Sequence, residues 1–123
     1  MRVLAVVLAV GAGALAGCGS GGPKVASGAT EVVVQDNIFT PPTLRVRAGT
    51  EVTFRNQGFS PHRLAQSDAT QSFGSGPFGV VSDQFRQGAR YRYTFTAPGT
   101  YDYYCSIHGL PSERMHGRVV VQR

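Results

Sequence analysis

The sequence lacks a hydrophobic run long enough to cross a membrane. Its apolar stretch over residues 3–16 follows Arg2 and contains fourteen residues. Fourteen helical residues span only ~21 Å, whereas the hydrocarbon core of a bilayer is roughly 30 Å thick. The stretch therefore excludes a transmembrane helix at this position and indicates a secretory signal peptide over residues 1–17.

Small residues end this signal peptide in a pattern that predicts a lipid anchor. Residues 15–18, "LAGC", resemble the lipobox of bacterial lipoproteins, in which the cysteine is lipidated and becomes the mature N-terminus. An ordinary cleavable signal with an incidental cysteine is the alternative. Each buried CH2 of an acyl chain contributes about 0.8 kcal/mol to membrane binding. We therefore expect an extracytoplasmic protein anchored to the cell membrane by lipid on Cys18. A flexible Gly/Ser-rich tether over residues 18–29 then leads to a domain over residues 30–123.

Cysteine is scarce, and this scarcity excludes a disulfide scaffold. Cys18 and Cys105 are the only two in the sequence. Once Cys18 is lipidated, Cys105 has no partner, although exported proteins normally use cysteines in pairs. A thiolate bound to a metal would be protected from oxidation, and an inert buried thiol is the alternative reading.

A clustered basic stripe is also absent. Without Arg2, eleven basic side chains stand against seven acidic ones, so the mature chain carries a charge of +4. Ten of the eleven are arginines, and they fall mainly at alternate strand positions. This distribution makes nucleic acid an unsuitable partner and indicates a solvated face with a mild preference for acidic partners.

Long helical patterns are missing, and alternation with a period of two takes their place. Leu44 and Val46, for example, alternate with arginines. Such alternation predicts half-buried strands, and many short strands between Gly, Pro and Asn turns predict an all-β fold of two antiparallel sheets packed face to face. Residues 66–89 are rich in Gly, Ser and Gln and predict loops with one short strand at most. The predicted strands are 31–35, 43–49, 51–56, 90–96, 100–105 and 117–122.

Potential metal ligands are concentrated in residues 101–117, "YDYYCSIHGLPSERMHG". Cys105 ends a predicted strand on its inward face, and His108 follows past a tight turn, so both side chains can reach one ion. Met115 starts the next strand in phase with inward-facing valines, whereas His116 is out of phase and faces solvent. Met115 is therefore preferred over His116 as a ligand, and filling of the core is its alternative role.

The second imidazole comes from His62, in "NQGFSPHRL", after the predicted strand 51–56. Two histidines, one cysteine and a weakly bound axial methionine form the blue-copper ligand set, which suits both Cu(I) and Cu(II). One copper ion that cycles between these states would carry single electrons with little rearrangement of its ligands. The alternatives are a plain turn histidine at position 62 and a zinc site with one cysteine and three histidines, which a methionine in the loop disfavours.

Three segments carry a resemblance to a known family. "GTYDYYCSIHG…MHGRVVV" resembles the C-terminal strand, ligand loop and final strand of the small blue copper proteins, the cupredoxins, and of plastocyanin in particular. "RAGTEVTFRNQGFSPH" resembles the segment with the upstream histidine, and "QDNIFTPPTLRVRAG" the N-terminal region. The resemblance covers roughly residues 30–122. It implies a cupredoxin-like Greek-key sandwich with His62, Cys105 and His108 as equatorial ligands and Met115 as the axial ligand.

The ligand segments depart from the plastocyanin pattern. Ser60 is an extra residue before the upstream histidine, and Arg63 stands where plastocyanins usually have asparagine. Six residues separate His108 from Met115, a longer gap than in typical plastocyanins. This gap predicts that the length of the axial bond, and with it the potential, differs. We expect backbone carbonyls of its own loop to hold the second ring nitrogen of His62.

The resemblance, together with the lipobox-like residues 15–18, implies a membrane-tethered, monomeric one-electron carrier that is not an enzyme. Four protein ligands leave no open coordination position, and the sequence has no His-x-His pairs of the kind that multicopper oxidases need. Copper storage or delivery is the alternative function, although Met115 is the only methionine after the signal peptide. Apolar residues at the histidine end are expected to dock the donor and acceptor redox proteins; they are Pro61, Ile107, Leu110 and Pro111.

Overall fold

The fold is known from a computed structural model, which describes residues 25–108 and 115–123. The predicted signal peptide, Cys18, Leu110 and Pro111 lie outside the described residues. Within the described part, a short 3-10 turn at Ser82–Gln84 accompanies nine strands. No helix in this part of the chain is long and apolar enough to span a bilayer. The strands are β1 (Val25–Ser27), β2 (Glu31–Val34), β3 (Phe39–Thr40), β4 (Thr43–Arg47), β5 (Thr50–Asn56), β6 (Leu64–Gln66), β7 (Arg90–Phe95), β8 (Gly99–Cys105) and β9 (His116–Gln122).

These strands form two sheets, in the orders β1-β4-β9-β8-β6 and β3-β2-β5-β7, so the predicted two-sheet sandwich is confirmed. Both sheets are mixed, however, because β1 with β4, β4 with β9 and β2 with β5 pair in parallel. The expected antiparallel arrangement holds for β5 with β7 and for β6, β8 and β9. Alternation of side chains predicts which face of a strand is buried, but it does not predict which strand lies beside it.

The inward-facing positions of both sheets meet in one aromatic core. Val52 and Phe54 of β5 and Phe95 of β7 are fully buried, as the alternation predicts. Tyr103 of β8 is also fully buried, and its ring packs edge-on against Phe54 with centroids 5.2 Å apart and against Phe39 at 4.8 Å. Burying a large apolar side chain contributes ~1.5–3 kcal/mol. This core supports the end of β8, where Cys105 lies.

Three short strands lie outside the predicted set. β1 occupies residues that the sequence places in the flexible tether, and it adds to the edge of β4. β3 and β6 are two and three residues long, too short for alternation to be visible. Within 66–89, Phe73, Phe78 and Phe85 are buried, so this Gly-rich segment contributes aromatic rings to the core.

Candidate metal centre

The end of β8 and the turn after it position two of the predicted ligands. Cys105 is the last residue of β8 and is buried. The backbone N–H of His108 donates to the carbonyl oxygen of Cys105 at 3.1 Å, which closes a tight turn. The backbone N–H of Cys105 donates to the carbonyl oxygen of Met115 at 3.0 Å. The turn therefore folds His108 back over Cys105, and strand pairing brings Met115 alongside.

The connection between β5 and β6 presents His62, and the side chain of Asn56 organises this connection. Asn56 Nδ2 donates to the carbonyl oxygens of Ser60 at 3.1 Å and Phe85 at 2.8 Å, and Oδ1 accepts the N–H of Gly58 at 2.9 Å. The backbone N–H of His62 donates to the carbonyl oxygen of Phe85 at 3.1 Å. The side chain of Asn56 thus makes three hydrogen bonds that order this connection, and the carbonyl oxygen of Phe85 accepts from residues at both of its ends.

The structure brings His62, Cys105 and His108 together, with their ligand atoms all within 4.8 Å of one another. Cys105 Sγ lies 3.6 Å from Nδ1 of His62 and 3.3 Å from Nδ1 of His108. A nitrogen at ~2.1 Å and a sulfur at ~2.3 Å from one ion, at a tetrahedral angle, are separated by about 3.6 Å. The observed spacing therefore suits a single metal ion bound by the thiolate and two Nδ1 atoms.

Met115 and His116 lie on opposite faces, as the parity of the strand predicts. Met115 immediately precedes β9, is 4% exposed and belongs to the hydrophobic core, whereas His116 is exposed. Because the backbone of Met115 is hydrogen-bonded to Cys105, its buried side chain starts beside the three-residue cluster. A thioether is the weak axial donor that a His-Cys-His copper centre takes.

The sulfur of Cys105 also receives a backbone hydrogen bond. The N–H of Arg63 donates to Cys105 Sγ at 3.5 Å. The donor is the residue after His62. The β5–β6 connection therefore both contacts the sulfur of Cys105 and supplies the imidazole of His62 to the site.

The electrostatic surroundings of His62 favour a neutral imidazole. His62 is fully buried, and burial lowers its pKa, helped by repulsion from His108 and opposed by the carboxylate of Asp36. A neutral ring leaves a lone pair for a metal at neutral pH. The backbone N–H groups of Ser60 and Phe59 lower the pKa of Asp36, so this carboxyl group is ionised.

The group that faces the second nitrogen of His62 differs from the one expected. Nε2 of His62 lies 3.4 Å from Oδ1 of Asp36, and this buried nitrogen makes no hydrogen bond of normal geometry to the described residues. The expected backbone carbonyls of the His62 loop do not contact this atom. Asp36 follows β2 and is 26 residues upstream, so only the parallel pairing of β2 with β5 brings it to the site.

Exposed apolar side chains lie beside the histidine ligands in the sequence. Ile107, next to His108, is 50% exposed, and Pro61, next to His62, is also exposed. Phe59 is 87% exposed and was missed by sequence reasoning, although a large aromatic residue in a turn without a strand pattern is itself a signal. His108 itself is half-buried.

Comparisons with known proteins agree with this donor set. A family model described as copper binding proteins of the plastocyanin/azurin family matches residues 26–122. Amicyanin-alpha of Methylorubrum extorquens is 38% identical over 100 residues, which cover 78% of this chain and 74% of that relative. A chloroplastic plastocyanin of Oryza sativa subsp. indica is 29% identical over 119 residues, covering 95% of this chain and 74% of the relative. The solved structure of a reduced amicyanin mutant has a TM-score of 0.60 at 32% identity, covering 77% of this chain and 83% of that one.

Proposed function

This chain belongs to the plastocyanin/azurin family of copper-binding proteins, and we propose that it carries single electrons between extracytoplasmic redox proteins. Its cofactor is one copper ion at a type 1 site formed by His62, Cys105, His108 and Met115. Bound copper supplies one-electron chemistry, because it alternates between Cu(I) and Cu(II).

The observation that carries this proposal is the convergence of one thiol and two Nδ1 atoms at the end of a rigid sandwich. Cys105 and His62 are almost completely buried, whereas His108 is half-buried. Burial excludes water from the thiolate, and the partial exposure of His108 offers a short path for an electron to the surface. The burial of Cys105 and His62 and the partial exposure of His108 therefore favour electron transfer through the ring of His108 over binding of a substrate.

The hydrogen bonds of Asn56 and Cys105 support the same function. They order the backbone of each ligand-bearing connection before any metal binds. Ligands that cannot move far suit both oxidation states, so little reorganisation accompanies each transfer. Four protein ligands also leave no position for a substrate, and we infer a carrier and not an enzyme.

The sequence supports a position at the membrane. The lipobox-like residues 15–18 follow the apolar run directly, and lipid on Cys18 would anchor the domain outside the cytoplasm. We infer that redox proteins dock on the apolar residues that accompany His62 and His108 in the sequence, namely Pro61, Ile107, Leu110 and Pro111. Replacement of Cys18 by serine should move the protein from the membrane fraction to the soluble extracytoplasmic fraction, and retention in the membrane would contradict the anchor.

The visible spectrum of the copper-loaded protein tests the function. Addition of Cu(II) to the purified chain should produce an intense sulfur-to-copper band. Cys105→Ala should abolish this band. His116→Ala, which removes a histidine that is not a predicted ligand, is the matched control and should retain it. Hexacyanoferrate(II) should reduce and hexacyanoferrate(III) should reoxidise the site without loss of copper to a chelator. Release of copper in one oxidation state would instead favour storage or delivery, and a colourless complex would favour zinc.

A further inference from the structure

The ring of His62 is held between two groups on opposite sides. Its Nδ1 atom faces Cys105 Sγ at 3.6 Å, and its Nε2 atom faces Asp36 Oδ1 at 3.4 Å. A neutral imidazole carries one N–H, and its other nitrogen holds the lone pair. A carboxylate beside Nε2 favours the proton there, which leaves Nδ1 free to bind a metal.

We propose that Asp36 is a positioning residue of the copper site: its carboxylate receives the Nε2–H of His62, selects the metal-binding tautomer and increases the preference of the site for Cu(II). The inference rests on the copper-binding function proposed above. Partners of this kind orient metal-bound histidines and raise the basicity of the ring.

Asp36 is itself held in place by the connection that carries His62. Its carboxylate accepts the backbone N–H of Ser60 at 2.9 Å and of Phe59 at 3.2 Å. These two bonds come from residues just before His62, so one carboxylate fixes both the path of the loop and the ring that the loop presents. The position of Asp36 relative to Nε2 is therefore set by the backbone.

Gly58 allows this close approach. A Cβ atom at position 58 would lie 2.9 Å from Nε2 of His62 and would overlap Oδ1 of Asp36. The Gly58 backbone is fixed by its N–H, which donates to Asn56 Oδ1 at 2.9 Å. Any side chain at this position would separate the carboxylate from the imidazole. The glycine is thus required by the contact between Asp36 and His62.

The charge of Asp36 has a predictable effect on the two oxidation states. A carboxylate that accepts the Nε2–H makes Nδ1 a stronger donor, and a stronger donor stabilises Cu(II) more than Cu(I). Replacement of the carboxylate by a neutral amide should therefore raise the reduction potential. A tenfold change in the ratio of the two affinities corresponds to about 59 mV for a one-electron couple.

The test compares Asp36→Asn with Asp68→Asn. Asp68 is a matched control because it also accepts a backbone N–H in its own turn, from Thr70 at 2.9 Å. We expect Asp36→Asn to keep the visible band, to bind Cu(II) roughly tenfold more weakly, and to have a higher reduction potential. Asp68→Asn should change neither quantity. Equal reduction potentials in the two variants would overturn the proposal. If Asp36 had a purely structural role, its replacement would lower the stability of the fold without changing the ratio of the affinities for Cu(II) and Cu(I).

A second measurement needs no variant. Nitrogen-15 NMR of the diamagnetic Cu(I) protein reports which ring nitrogen of His62 is protonated. Any neutral ring bound through Nδ1 keeps its proton on Nε2, so the informative quantity is the shift of that proton. A downfield Nε2–H resonance, as for a hydrogen bond to a carboxylate, is expected, and an unshifted one would overturn the proposal even if Asp36→Asn failed to fold. Absence of the visible band in the wild-type Cu(II) protein would refute the proposed function instead, so the two failures are distinguishable.

Discussion

The backbone N–H of Cys105 donates to the carbonyl oxygen of Met115 at 3.0 Å, which closes the base of the ligand loop. This bond continues the antiparallel pairing of β8 with β9, whose register runs to Tyr104 opposite His116. The two ligand-bearing backbones are therefore held together by the sheet.

Replacement of Met115 tests its role as the axial ligand. Met115→Leu keeps a buried apolar side chain of similar volume, so its stability should change by less than about 1.5 kcal/mol. Loss of the thioether donor should raise the reduction potential, because a donor stabilises the more highly charged Cu(II) ion. Cyclic voltammetry measures the shift, and thermal unfolding of the copper-free protein is the control. An unchanged potential would assign Met115 to the core alone.

Asn56 should be important for stability as well as for the site. Asn56→Ala removes three side-chain hydrogen bonds, to the carbonyl oxygens of Ser60 and Phe85 and from the N–H of Gly58, and each bond contributes about 0.5–1.5 kcal/mol. We expect the free energy of unfolding in urea to fall by about 3 kcal/mol and the affinity for copper to fall with it. Asn37→Ala, at an exposed position, is the control and should have little effect.

The hydroxyl of Tyr103 offers a stabilising substitution. It is fully buried and makes no hydrogen bond to the described residues, and burial raises its pKa. Tyr103→Phe removes an unsatisfied polar group and should increase the free energy of unfolding by about 1 kcal/mol. Gly117→Ala should do the opposite, because a Cβ atom at position 117 would overlap the ring of Tyr103. Destabilisation by Tyr103→Phe would show that the hydroxyl has a partner.

The copper-free protein should lose stability as the pH falls below 6.5. Burial lowers the pKa of His62 in the folded state, so the unfolded chain binds a proton first and protonation favours unfolding. Well above pH 6.5 the ring is neutral in both states and has no effect on stability. Urea unfolding at pH 7.5 and 5.5 should show a loss of up to about 1 kcal/mol from this group.

His62→Gln provides the control for this pH dependence. The amide does not titrate, while the remaining histidines and the carboxylates are retained, so the variant should lose less stability over the same interval. An identical loss in both proteins would mean that His62 is not the group responsible. Bound copper should also reduce the loss, because a proton and a metal compete for the lone pair of His62.

A charge beside His108 tests the docking surface. Ile107→Lys places a cation on the apolar edge and should slow electron exchange with native membranes about tenfold, which corresponds to ~1.4 kcal/mol. The visible band should be unchanged, as should the rate with an uncharged small-molecule oxidant, which needs no protein interface and is not attracted by the added charge. Ala97→Lys adds the same charge in the exposed turn before β8, at the end away from Cys105, and should have no effect. Equal rates for wild type and Ile107→Lys would place docking elsewhere.

Local patterns in the chain were sufficient to predict the sandwich, most of its long strands, and the convergence of one thiol with two imidazoles. Period-two alternation reports burial directly, which is why the inward orientation of Cys105 and Met115 and the exposure of His116 could be read from parity. The spacing of Cys105 and His108 is a property of one tight turn and needs no tertiary information.

Other features depended on contacts between distant segments. The parallel pairings of both sheets, the strand at Val25–Ser27, and the buried rings of residues 66–89 have no local signature, because each depends on which surface the segment meets. The position of Asp36 beside His62 belongs to this group. Composition and alternation thus determined a β sandwich with copper-binding side chains. Only the three-dimensional packing decided which carboxylate lies beside the buried imidazole, because hydrogen bonds between segments that are remote in sequence set that geometry.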